Sequence, residues 1–273
     1  SGVVTGSPED LTFEFNEPGL ADKVLLVPGG CGGLGAATAV LLARDGASLV
    51  LGCRRQRSRA QALVRKLEEE FHAHVALVEG DVRDPQVRER YMEAARDLPG
   101  ELYGLVCMVG DPARVPFETG ETTALQEAWE VNCLAPLLMA RRFGSELREN
   151  KREGAVVFLS TMQALAPFSG SLAYAVPKSA LIQAARILAR EWGGPSGIRV
   201  NVVAPGVNRA GMALASINSG KYDRFVRSGV IPRFGRAEDV ARAVRFFVEP
   251  DNYVTGQVLL VDGGLTLRRD LSQ

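Results

Sequence analysis

Short apolar runs alternate with longer amphipathic segments along most of the 273-residue chain, and this pattern limits the possible folds more than any other feature. The runs at 23–27, 47–51, 75–78, 102–109, 155–159, 198–203 and 258–261 are rich in Val, Leu and Ile and lack a polar residue at every second position. Strands covered on both faces read this way, whereas a half-exposed sheet would alternate. Between them, 36–44, 57–71, 179–192 and 238–247 carry apolar residues at helical intervals; in 57–71 these are Ala60, Leu63, Val64 and Leu67, with charges opposite. Strands alternating with helices imply right-handed βαβ units. The expected architecture is a single α/β domain over 21–273, a doubly wound, Rossmann-like parallel sheet of about seven strands with helices on both faces. Residues 1–20 read as an N-terminal extension, and about 206–234 breaks the alternation as a substrate lid would.

In such a sheet, ligands bind beyond the carboxyl ends of the strands. After the first run comes Pro28-Gly29-Gly30-Cys31-Gly32-Gly33-Leu34-Gly35 and then a helix. Gly29, Gly33 and Gly35 stand in a G-x-x-x-G-x-G spacing. Glycines there let backbone N–H groups approach a pyrophosphate, and the helix N-terminus adds partial positive charge. A plain tight turn would use glycine too, but the strand before and helix after favour dinucleotide binding, with Cys31 and Leu34 in the same loop. The second strand ends in Cys53-Arg54-Arg55-Gln56-Arg57, where an acid would select the ribose 2′-hydroxyl of NAD. Arginines at a helix start oppose its dipole, and the 2′-phosphate of NADP would justify Arg54 and Arg55. A solvated basic helix start is the plainer reading, and NAD stays open. Asp81 and Val82, after the third run, could meet the adenine or form an ordinary turn.

Tyr174 and Lys178 are four residues apart, so on a helix start both lie on one face. A free phenol is a poor acid or base near neutrality, and a nearby ammonium would stabilise its phenolate. Pro177 between them is tolerable in a first helical turn. The pair follows the fifth apolar run.

Over about residues 20–266 the chain resembles the short-chain dehydrogenase/reductase family. The resemblance rests on the glycine loop, Asp81-Val82, Asn132 after Trp129-Glu-Val, Ser160-Thr161, Tyr174 with Lys178, Asn201-Val-Val-Ala-Pro205-Gly206, and the tail from Thr255 to Asp262-Gly-Gly. It implies hydride transfer between a nicotinamide cofactor and a carbonyl or secondary alcohol. Tyr174 would be the proton donor or acceptor, Lys178 would tune it and hold the nicotinamide ribose, and Asn132 would anchor a water relay. Thr161 would bind the substrate oxygen where the family usually has serine, Ser160 being one residue out of register. Gly110, Pro205, Gly206 and Val207 would complete the cofactor site. The resemblance also implies a homotetramer or homodimer joined through helices at about 122–143 and 175–192. Pro28, Cys107-Met108-Val109 and Ala210 depart from the family's Thr, its Asn-rich turn and a second Thr, each a lost hydrogen bond worth about 1 kcal/mol if unreplaced. These departures leave a second reading open, a nucleotide-binding sensor or scaffold with little or no turnover.

Other classes fit less well. Lys plus Arg and Asp plus Glu are equal at 32 each, which gives nucleic acid or an anionic membrane no electrostatic footing. No apolar run nears the ~20 residues of a membrane span, and the first twenty residues hold four acids and no base, unlike a targeting signal; a cytoplasmic placement is the expectation. Cys31, Cys53, Cys107 and Cys133 lack C-x-x-C spacing and read as free, buried thiols, the first three on one rim. His72 and His74 precede the third strand, away from any serine a hydrolase could use, and no nucleophile elbow or NTP phosphate loop occurs.

Overall fold

The computed structural model describes residues 11, 13–15 and 19–268. Seven strands form one parallel sheet: β1 (Lys23–Val27), β2 (Ser48–Cys53), β3 (Val75–Glu79), β4 (Glu101–Cys107), β5 (Gly154–Leu159), β6 (Ile198–Pro205) and β7 (Val258–Val261). Their order is β3-β2-β1-β4-β5-β6-β7. The chain builds outward from β1 to β3, then returns to lay β4 beside β1, so the switch point lies between β1 and β4.

Alternate residues of each strand point to opposite faces and explain the unbroken apolar runs. From β1, Val24 and Leu26 face one core, with Tyr91, Met139, Phe143, Leu181 and Trp192. Leu25 and Val27 face the other, with Leu42, Leu67, Val240, Val244 and Phe247. The first layer is α3 (Pro85–Arg96), α5 (Ala135–Glu149) and α6 (Leu172–Ser196); the second is α1 (Gly33–Arg44), α2 (Arg57–Phe71) and α9 (Ala237–Val248). Each fully buried Leu or Phe contributes about 1.5–3 kcal/mol relative to an exposed one, so the two cores dominate stability. An ion pair between Arg245 of α9 and Asp45 joins the ends of α9 and α1.

Helix α3 is not among the segments that periodicity marks as helical, and its start is marked by a cap. Asp84 accepts a hydrogen bond from the Gln86 amide and starts α3 ahead of its first-turn Pro85. Helix α6 begins at Leu172, so Pro177 sits in its second turn and not the first. Leu20, assigned by sequence to the extension, is fully buried, and its amide bonds the Asp45 carbonyl; it belongs to the domain. Helix α4 (Thr122–Trp129) runs into α5 through one π-helical turn, Glu130–Leu134. The segment 206–234, expected to be a substrate lid, contains a short turn at Gly211–Ala213, α7 (Leu214–Asn218) and α8 (Asp223–Arg227). Ile217 and Phe225 of the lid pack with Val207, Val230, Ile231 and Phe234 in a small core of their own, sealed from below by Leu265 of α10 (Leu265–Arg268).

Candidate active site

A continuous cleft crosses the carboxyl ends of the strands in two chambers that share Leu34, Leu159 and Met212. The first, about 330 Å³, lies over the switch point and gathers Gly29, Cys31, Gly33, Leu34, Gly35, Arg54, Arg55, Asp81, Val82 and Gly110. The second, about 240 Å³, contains Thr161, Tyr174, Pro205, Gly206 and Val207. Asn132 and Lys178 line neither chamber; they are sealed behind the wall between β4 and α6.

The glycine loop is shaped by close backbone approach. Gly29 has φ of +75°, and a Cβ there would come within 2.7 Å of the Met108 carbonyl. A Cβ on Gly35 would collide with the Gly29 carbonyl oxygen. Helix α1 opens at Gly33 with no side-chain cap, so its first-turn N–H groups are left for a ligand. This open cradle and uncapped helix start fit the pyrophosphate of a dinucleotide. The Asn-rich turn of the family is replaced here by packing: Cys107 and Met108 are buried, and the Met108 amide bonds the Pro28 carbonyl at 2.8 Å.

At the far end of this chamber, Arg54 reaches Asp81 at 3.3 Å. Asp81 also accepts from the Arg83 amide at 2.9 Å and from the Arg83 guanidinium at 2.7 and 3.0 Å. Partial burial pushes its carboxyl up, but the Arg83 hydrogen bonds and the Arg54 charge outweigh this and hold it below the ordinary carboxylate range. The Asp81 side chain is thus a turn-former and ion-pair partner. The three rim thiols do converge: Cys31 lies beside Cys53, and both lie with Cys107 around the buried Tyr91. Burial, reinforced by its neighbour Cys53, pushes the Cys31 thiol up to about 12, so it is an inert wall.

In the second chamber the Thr161 hydroxyl lies beside the Tyr174 phenol and lowers its proton affinity. Thr161 stands in extended backbone just past β5 and caps the short turn Met162–Ala164 through the Gln163 amide. Ser160 is committed elsewhere: its hydroxyl donates to the Lys178 carbonyl at 2.7 Å. The register question therefore falls to Thr161. Tyr174 lies in the first turn of α6, with its amide on the Ser171 carbonyl.

Behind the phenol, the Lys178 ammonium donates to the carbonyls of Leu159 at 2.9 Å and Val109 at 3.1 Å. It lies directly behind Gly110 of the first chamber, where a Cβ would come within 3.0 Å of Nζ. Burial lowers Lys178 to about 8, against the pull of the Cys107 and Cys133 thiols. Burial also raises the phenol to about 12; Thr161 opposes this and the Asp111 carboxylate adds to it. The sequence suggests a phenolate stabilised by the ammonium together with an oxidised nicotinamide; within the chain itself burial is the largest influence on the phenol. Asn132 occupies the π-helical turn and is fully buried. Its side chain bridges both backbone groups of Asp111 and the Ala128 carbonyl, pinning the loop after β4.

Sequence reasoning missed Arg114 and Lys221, which come from irregular segments with no periodicity to mark them. It also missed Tyr91, a core aromatic of α3 that reaches the floor of the first chamber. His72 and His74 lie before β3, at the opposite end of the sheet from Thr161 and Tyr174. No helix among the described residues is long and apolar enough to cross a membrane.

Seven parallel strands, a glycine cradle at the switch point and a Tyr–Lys pair beyond β5 define a dinucleotide-type oxidoreductase fold. The chain belongs to the short-chain dehydrogenase/reductase family: residues 30–266 match the family model described as enoyl-(acyl carrier protein) reductase. It is 33% identical over 255 residues to human dehydrogenase/reductase SDR family member 4, covering 91% of this chain and 89% of that one. A dehydrogenase/reductase from Sinorhizobium meliloti 1021 superposes with a TM-score of 0.81 at 30% identity, covering 91% of this chain and 96% of the other. ElxO with NADP bound superposes with a TM-score of 0.78 at 26% identity, over 90% and 99% of the two chains. Family membership implies NAD(P)-dependent hydride transfer on a small molecule.

Proposed function

We propose that the protein is an NADP-preferring oxidoreductase that interconverts a carbonyl compound and its secondary alcohol, with Tyr174 as general acid and base. One observation carries this reading: the Tyr174 phenol and Thr161 hydroxyl lie side by side in a chamber that opens onto the glycine cradle. Bound in the cradle, a nicotinamide nucleotide supplies or accepts the hydride. Gly33, Leu34 and Gly35 would hold its pyrophosphate through their free amides, with Gly29 and Cys31 shaping the turn. Arg54 and Arg55 would meet the 2′-phosphate, an anion that would compete with Asp81 for Arg54. ElxO, solved with NADP, supports this choice by analogy.

Two hydroxyls polarise the substrate oxygen, and the phenol, fully protonated near neutrality, donates its proton there. Lys178 is a positioning residue. Its cation behind Gly110 adds positive potential at the junction of the chambers and becomes able to hold ribose hydroxyls. Asn132 orients the loop that carries Asp111 and so supports a proton path toward solvent. Pro205, Gly206 and Val207 would close the nicotinamide end.

Assembly as a homodimer or homotetramer is supported by unpartnered apolar side chains on the expected helices: Trp129 and Leu134 near the start of α5, and Leu172, Val176 and Ile187 on α6. Placement in the cytoplasm accords with free, buried thiols. The test is NADPH oxidation with a panel of ketones and aldehydes. Tyr174→Phe should cut kcat by about 100-fold or more while cofactor affinity stays close to wild type. NADPH binding without turnover of any compound would instead identify a sensor or scaffold.

A further inference from the structure

The second chamber is lined by many neutral side chains but only two charged ones, Arg114 and Lys221. Both are cationic, and they come from separate elements: Arg114 from the loop after β4, Lys221 from the lid between α7 and α8. Neither forms an ion pair among the described residues. The Arg114 guanidinium donates only to the Met212 carbonyl, at 3.4 Å, and the Lys221 ammonium rests 5.3 Å from the centroid of the Tyr222 ring. Asp111 is the acid whose charge reaches the phenol, yet it does not line the chamber, and its carboxylate accepts from the Ala113 amide. Two cations that line one cavity and have no carboxylate partner leave it with a positive potential, which an anionic group could meet with charge-assisted hydrogen bonds.

We infer that the substrate is a small oxo or hydroxy compound carrying a carboxylate or phosphate group, held by Arg114 and Lys221 while its carbonyl lies at Tyr174 and Thr161. The inference rests on the hydride-transfer reading above and names its substrate class. A chamber of about 240 Å³ is below the roughly 300–1,000 Å³ of drug-sized sites, so the compound is short. Gln163, Ser169 and Ser216 add neutral donors along the walls and favour polar over purely aliphatic substituents. Because Lys221 belongs to the lid and Arg114 does not, an anion bridging them would also draw the lid toward the β4 loop.

The experiment uses the NADPH-loaded protein and matched pairs: oxo acids with their methyl esters, and phosphorylated ketones with their dephosphorylated forms. The anionic member of a pair should show a kcat/KM about tenfold or more above its neutral partner, carried mainly by KM. Arg114→Gln and Lys221→Gln should each collapse that ratio, and added salt should shrink it, since both cations are solvent-exposed. The proposal fails if neutral members are equal or better substrates, or if the variants weaken both members alike. Equilibrium binding of the oxo acids to the NADPH-loaded protein gives a readout free of turnover. If no pair is turned over while the broad carbonyl panel is, this substrate class is refuted and the hydride-transfer reading stands; if nothing in either set is turned over, the hydride-transfer reading falls. The anion site is then judged by binding alone, and equal affinity of wild type and Arg114→Gln would overturn it. The carboxylate and phosphate arms identify which anion is held.

Discussion

Lys178 keeps an ammonium almost wholly out of water, with two carbonyl oxygens for company and no carboxylate. An unfolded lysine titrates at 10.5, and in the fold burial brings this one to about 8. Below about pH 8 both states hold the proton, and the native state bears the whole cost of the buried cation. Between there and 10.5 the unfolded chain keeps the proton while the native chain gives it up, so this cost is relieved as pH rises. The gap corresponds to about 3 kcal/mol, of which about 2.5 is recovered from pH 7 to pH 10. Lys178→Met removes the cation but also leaves the Val109 and Leu159 carbonyls without this donor, at about 1 kcal/mol each. The unliganded variant should therefore be about 1 kcal/mol more stable than wild type near pH 7, and less stable by about the same near pH 10. Urea unfolding of both proteins across that range, followed by tryptophan fluorescence, measures the difference directly. A difference that stays constant with pH would refute the claim that this side chain is charged at a cost. The variant should also lose cofactor affinity and turnover together, marking the destabilising residue as a functional one.

Thr161→Ala should lower kcat by about 100-fold, Thr161→Ser should restore most of it, and Ser160→Ala should cost about 1–2 kcal/mol of stability through the lost bond to Lys178; unfolding curves and steady-state rates separate these outcomes. Arg54→Ala combined with Arg55→Ala should weaken NADPH by about tenfold or more and NADH far less; equal losses in a fluorescence titration would remove the case for a 2′-phosphate. A Cβ on Gly33 would lie 2.5 Å from the Gly211 amide nitrogen, so Gly33→Ala should push the lid outward. Faster nicking near 209–213 under limited proteolysis and weaker cofactor binding are the expected signs.

The sheet was legible because strands covered on both sides must be apolar throughout, and Val24 to Val27 feed two cores in alternation. Helix limits were less so: the Asp84 cap that opens α3 leaves no mark in the periodicity, and α6 starts at Leu172, well before the periodic stretch from 179. Of the candidate site, the glycine loop and the Tyr174–Lys178 spacing could be read because close backbone approach and one-turn separation are sequence properties. Arg114 and Lys221 could not, as their convergence depends on how two irregular loops fold back over the strand ends. Nor could the protonation of Tyr174 and Lys178, because desolvation depends on everything packed around a group. Burial acts on both groups and drives their proton affinities apart.

Leu34, Leu159 and Met212 each form part of both chambers. A ligand in one therefore presses on surfaces that bound the other, and the two binding energies cannot be independent. Whatever factor the nucleotide contributes to the grip on the second ligand, that ligand returns to the nucleotide. Any such exchange would pass first through these three shared side chains.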